Sequence, residues 1–172
     1  LVGSEMCIRD RQHPQDRTNG RIYKISYGTP KHVNVDLAKL TSAELVQHQL
    51  HANEWFVRRS RVILQERGPD AEVHAALLKI VRENPDVTRQ LRALWALHAT
   101  RGLNGPLALE LLKSQEAYVR GWTIQLMSED KNPSPALVAA FAALAKDDPS
   151  PIVRRFLASA ARRIAVAQRW PI

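Results

Sequence analysis

Glu44, His48 and His51 lie one helical turn apart along ELVQHQLH. On a helix they share a face, and two imidazoles with a carboxylate are ligands that a transition metal takes up. The same spacing also describes a solvated polar face that ends in a histidine. His74 and His98 stand alone in the chain and read as packing or surface residues. Other catalytic signatures are missing from the sequence, which has neither a glycine-rich phosphate loop nor a G-x-S-x-G elbow. Cys7 is the only cysteine, so no internal disulfide, CxxC pair or CxxCH haem attachment site can be built. No catalytic, cofactor-binding or metal residue is therefore assigned.

Arginines set inside apolar stretches raise a second kind of chemistry. WFVRRSRVIL, QLRALWALH, YVRGWTIQLM and IVRRFLASAA each carry an apolar residue, then Arg, then an apolar residue four places beyond the Arg. The arginines are Arg58, Arg92, Arg120 and Arg154, and the apolar residues before them, at 57, 91, 119 and 153, are 34, 28 and 34 positions apart. An Arg at a fixed repeat position can lay its stem on the core while its guanidinium meets carbonyls or acids of a neighbouring turn. Glu54, Asp86, Glu116 and Asp148 are the candidate acids. Alternatively, a row of arginines tracks nucleic-acid phosphates, and Arg155, Arg162, Arg163 and Arg169 extend such a row. The repeated arginines fit the structural role better, whereas the non-repeated Arg155 and Arg162 suit a structural role or an interaction surface. Trp55, Trp95 and Trp122 lie beside the repeated arginines, where large rings fill space between repeats or, if exposed, stack on bases.

The elements that position these side chains are helices. A chain of 172 residues can bury a core without disulfides or metal, and its 45% hydrophobic fraction excludes a disordered polymer. No apolar run approaches the roughly 20 residues of a membrane-spanning helix. The net charge of +8 makes nucleic acid or an anionic surface a partner worth testing. Thr41-x-x-Glu44 is a capping box, and Ser134-Pro135, Ser150-Pro151 and Asn104-Gly105-Pro106 place a capping residue ahead of a helix-starting proline. Gly68-Pro69-Asp70 and Asn84-Pro85-Asp86 break the chain between helices. Eight helices are predicted, over about 41–51, 53–67, 71–83, 86–101, 106–113, 115–129, 135–146 and 151–166, joined by short connections. Two helices per repeat with a period near 30 predicts an all-α, HEAT-like (armadillo-type) α-solenoid of about four helical pairs over residues 41–166.

Residues 16–28 stand apart. Asn19-Gly20 is a tight-turn pair, and Ile22, Tyr23, Ile25 and Tyr27 follow with strand bias, which predicts one orphan β-strand ahead of the helices. Residues 31–40 read as a linker. Residues 1–11, LVGSEMCIRDR, resemble a translated sequencing adaptor and are expected to be foreign to the fold. Residues 167–172 are expected to be a cut end.

GRIYKISYG, DLAKLTSAELVQHQLHANEWFVRRSRVILQERG, LRALWALHATRGL and YVRGWTIQLMSEDK together resemble the PVC-group bacterial membrane-bound dehydrogenase family, also described as haem-binding CxxCH proteins. The resemblance spans residues 16–166. It implies a long parent chain, periplasmic or membrane-associated, in which a β-propeller dehydrogenase is followed by a HEAT solenoid and a c-type cytochrome. Residues 12–30 would then hold the propeller's terminal strand. Haem c and a quinone would be cofactors of the parent, with none held here. The partners implied are the neighbouring propeller and cytochrome domains, or other proteins. The function expected is that of a non-catalytic interaction or spacer solenoid in a dehydrogenase-like oxidoreductase. The alternative is a basic HEAT-repeat protein that binds nucleic acid, similar to the solenoid DNA glycosylases.

Overall fold

The computed structural model describes residues 27–29, 35–170 and 172. The strand expected over 16–28 lies outside the described residues, apart from Tyr27 and Gly28, which form a bend. The proposed adaptor segment lies outside them as well. Asp36–Ile172 is a compact unit distinct from Leu1–Val35. Among the described residues it is all-α, and no strand occurs.

Its helices are α1 (Ser42–Gln47), α2 (Glu54–Arg67), α3 (Ala71–Glu83), α4 (Val87–Ala99), α5 (Gly105–Leu111), α6 (Ala117–Leu126), α7 (Pro135–Asp147), α8 (Pro151–Ala161) and α9 (Val166–Arg169). Single 3₁₀ turns occupy Leu37–Lys39 and His48–Leu50.

Side-chain caps set where the helices begin. Thr41 and Glu44 form a reciprocal capping box, in which the Thr41 N–H donates to Glu44 Oε2 at 2.8 Å and the Glu44 N–H to Thr41 Oγ1 at 3.3 Å. Asn53, Asp70, Asp86, Asn104, Ser134 and Ser150 accept from first-turn N–H groups of α2, α3, α4, α5, α7 and α8. Between α2 and α3 the chain reverses at Gly68, whose φ of +89° is a conformation that side chains with a Cβ disfavour.

Helical periodicity then decides what is buried. In α3, Val73, Leu77 and Val81 recur every fourth residue and face inward, and in α8 Val153, Leu157 and Ala160 face inward at spacings of four and three. Each fully buried Leu, Val or Phe contributes about 1.5–3 kcal/mol relative to exposure, which makes these stripes the main source of cohesion.

The helices alternate between two rows. The odd-numbered row holds α1 against α3 and α5 against α7; the even-numbered row runs α2, α4, α6, α8, each touching the next. Within pairs, α1 packs on α2, α3 on α4, α5 on α6 and α7 on α8. One apolar cluster joins the later pairs through Ala108, Leu112, Ile124, Leu137, Phe141, Val153 and Leu157. The α6–α8 approach is especially close: a Cβ added at Gly121 would lie 2.5 Å from Phe156 Cδ2. Gly121, between Arg120 and Trp122, therefore leaves the room that the Phe156 ring of α8 occupies.

Both ends of the described unit carry structure. The linker expected over 31–40 is packed from Asp36 onward: Leu37 is buried, and the Arg67 guanidinium donates to Leu40 O at 2.6 Å, Ala38 O at 3.1 Å and Ser42 Oγ at 3.0 Å. At the other end Val166–Arg169 form α9.

Candidate functional site

Two of the four repeated arginines, Arg92 and Arg120, reach across the seams between helices, and a third, Arg154, binds the turn that leads into its own helix. Arg120 leaves α6 and forms a two-nitrogen grip on Asp148, with Nε 2.8 Å from Oδ2 and Nη2 3.0 Å from Oδ1. Its Nη1 donates to Ser114 O at 2.7 Å and Gln115 O at 3.1 Å. Arg154 repeats the backbone half of this arrangement, its Nη1 donating to Asp148 O at 3.0 Å and Pro149 O at 3.1 Å. Arg92 instead turns back toward the first pair, where it donates to His51 O at 2.9 Å and pairs with Glu54.

Arg58 breaks the pattern. Its side chain is 78% exposed and meets only Glu54 of its own helix, at 3.5 Å. The acid 28 positions on, which Asp148 is to Arg120, is Asp86, and Asp86 is already used by Thr88 and Arg89. Position 58 is thus a surface ion pair, which contributes at most about 1 kcal/mol.

Asp148 is the centre of the best-formed seam, with its side chain only 3% exposed. Burial alone would raise its pKa. Hydrogen bonds from Arg120 and from the Ser150 N–H, with the charges of Arg120 and Arg154, outweigh that and hold the carboxyl below its ordinary range.

Along the even-numbered row the aromatic rings form a chain. Trp95 and Trp122 meet edge to face with centroids 4.9 Å apart, and Trp122 and Phe156 follow at 5.8 Å. Guanidiniums close both ends, Arg61 lying 5.5 Å from the Trp95 centroid and Arg155 5.6 Å from that of Phe156. Trp122, expected to be buried, is half-buried, because its contacts to Trp95 and Phe156 cover only part of the ring. Trp55, expected between repeats, is 53% exposed, because α2 begins its row within this unit and no earlier helix of that row covers the ring.

Arg155 on α8 and Arg162, which caps the C-terminus of α8, are both exposed. Arg163 is engaged: with the Gln125 amide turned to present its oxygen, the two guanidinium nitrogens lie 2.9 and 2.8 Å from it.

The histidines are occupied by local contacts. The His48 ring lies 3.1 Å from Ser60 Oγ, and His51 Nδ1 accepts the Asn53 N–H at 2.9 Å while its ring packs on Phe56. Glu44 is held low in pKa by the Thr41 hydrogen bonds of the capping box. Among the described residues no three His, Cys, Asp or Glu side chains converge as a metal site. Ser60, the partner of His48, is wholly buried mid-helix, which is not where the nucleophile of a hydrolytic triad sits. His74 binds Thr100 O at 3.0 Å and His98 meets Glu129 at 3.0 Å, both tying neighbouring helices.

Sequence reasoning missed Arg61. It carries no repeat signal, because its distinction is three-dimensional: a half-buried guanidinium whose Nε has no acceptor, stacked on Trp95, whose Nε1 has none either. It also missed Gly121, although a glycine inside an apolar helix is a signal of close approach.

No family model matches the chain, and neither a curated protein nor a solved structure does.

Proposed function

We propose that Asp36–Ile172 is a HEAT-like α-solenoid of about four helical pairs that acts as a non-catalytic interaction and spacer module. In this reading the parent chain is a propeller dehydrogenase with a c-type cytochrome, and the solenoid holds those two domains in fixed relation. The observation that carries the proposal is the Arg120–Asp148 grip: a buried, two-nitrogen contact that fastens one helical pair to the next. Such a contact makes a stack rigid but leaves nothing free to react, since both partners are fully engaged.

Haem c in the parent would need a CxxCH, and this chain has one cysteine, at position 7. The residues here do not suit haem attachment, so the haem and the quinone are assigned to the neighbouring domains. The test is recovery of the complete reading frame. A propeller before residue 16 and a CxxCH after residue 172 support the reading, and a frame with neither contradicts it.

A second reading, nucleic-acid binding, rests on the exposed Arg155 and Arg162. It is weaker, because Arg92 and Arg120 are neutralised by Glu54 and Asp148 and the basic row is interrupted. Duplex affinity that falls steeply across a salt series would restore it, and a flat, weak response removes it.

A further inference from the structure

We propose that the α2–α4 surface beside Arg61 and Trp95 anchors a carboxylate from an acidic, partly apolar peptide segment of a protein partner. The site does not depend on the solenoid reading or on the identity of any parent chain.

Charge imbalance is the first observation. Arg58 and Arg61 on α2 and Arg92 on α4 surround one carboxylate, Glu54, which is already bound by Arg92 and Arg58. Three guanidiniums therefore share one acid. Among the described residues Arg61 forms no ion pair of its own, and its buried Nε has no hydrogen-bond acceptor. Burial lowers its pKa, Glu54 opposes that, and the charges of Arg58 and Arg92 lower it further. An anion at this place would relieve the loss of hydration and the like-charge repulsion together.

Geometry limits how the anion arrives. Arg61 Nε and Trp95 Nε1 are shielded from solvent without acceptors among the described residues, so a carboxylate would have to meet Arg61 through its terminal guanidinium nitrogens. One step round the same helix, Trp55 and Val62 are 53% and 40% exposed. They stand seven residues apart on one face, with Arg59 between them. The surface thus offers a cationic slot next to an apolar strip, which is complementary to a peptide carrying Asp or Glu beside a large apolar residue.

A peptide fits better than nucleic acid. The Arg61 guanidinium already lies over the Trp95 ring, and Trp95 meets Trp122 edge to face at 74°. That leaves the Trp95 ring itself unavailable as a platform for a base. Carboxylates at Glu54, Asp148 and Glu129 also interrupt the row that a phosphate backbone would follow.

The test is a ¹⁵N NMR titration of the whole chain with the capped pentapeptide Leu-Glu-Phe-Glu-Leu and its Gln-for-Glu counterpart. The Arg61 Nε–H and Trp95 indole N–H signals are assigned with Arg61→Lys and Trp95→Phe. Saturable movement of both signals is expected with the acidic peptide, with affinity about tenfold weaker for the amide peptide and about tenfold weaker in Arg61→Gln. Arg162→Gln should leave affinity unchanged. If Arg61→Gln does not fold, the surface variant Trp55→Ala/Val62→Ser serves instead and should weaken binding about threefold or more. Equal response to both peptides, no saturable movement, or affinity unchanged in the folded variant would overturn the proposal. So would a DNA duplex that displaces the peptide from the same signals, since the occupant would then be nucleic acid.

Discussion

Arg120 of α6 and Asp148, the residue that closes α7, form a buried ion pair across the seam between two helical pairs, with side chains 12% and 3% exposed. This contact differs in kind from the other charged contacts on the surface. Breaking a buried pair from one side leaves an uncompensated charge, whereas breaking an exposed pair leaves two hydrated ones.

Asp148→Ala is therefore expected to destabilise the unit by about 3–5 kcal/mol. Arg58→Ala, which removes only an exposed pair within α2, should stay within about 0.5 kcal/mol. Urea unfolding monitored by helical circular dichroism measures both, and equal effects would show that the seam carries no special share of stability.

The same carboxylate sets an acid dependence. The folded-state pKa of Asp148 lies below its ordinary value near 3.8, so the pair stabilises the fold above that value. The contribution is lost as pH falls from about 3.8 through the depressed folded pKa. Unfolding free energy followed from pH 7 downward should show this loss in the native chain. In Asp148→Asn the curve should start lower and lose less over the acid limb.

Gly121 tests the close approach of α6 and α8. Gly121→Ala places a methyl group against the Phe156 ring and is expected to cost about 1–3 kcal/mol by overpacking, although alanine favours the helix. Adding Phe156→Leu should recover part of the loss. A stabilising Gly121→Ala would mean that the helices can move apart freely at this point.

Asp70 tests the sequence-encoded helix starts. Its carboxylate accepts from the Glu72 N–H at 2.8 Å and the Val73 N–H at 3.2 Å. Asp70→Ala should cost about 1 kcal/mol in the same denaturation assay, and Asp70→Asn should keep much of that.

The helices were legible because their signals are local. Thr41, Asp70, Asn104, Ser134 and Ser150 cap where their spacing ahead of apolar runs places them, and inward stripes such as Val73, Leu77 and Val81 follow from period alone. The arginine register was legible too, but what each Arg would touch was not. Position 148, six residues before Arg154, holds Asp and gives Arg120 a partner in the following pair. The corresponding position before Arg120 is Ser114, and Arg92 accordingly turns back to Glu54. Arg58 finds its equivalent acid, Asp86, spent on a helix cap. Arg61 had no such signal, because its importance comes from its neighbours on another helix.

On the proposed reading this unit joins other domains and does no chemistry of its own. The most direct measurement is electron transfer in the complete parent chain with residues 42–161 deleted. If the parent is the proposed propeller dehydrogenase with a cytochrome, reduction of an artificial dye should persist while transfer to the cytochrome is lost. Dye reduction by purified Asp36–Ile172 alone, or cytochrome reduction undiminished by the deletion, would contradict the account.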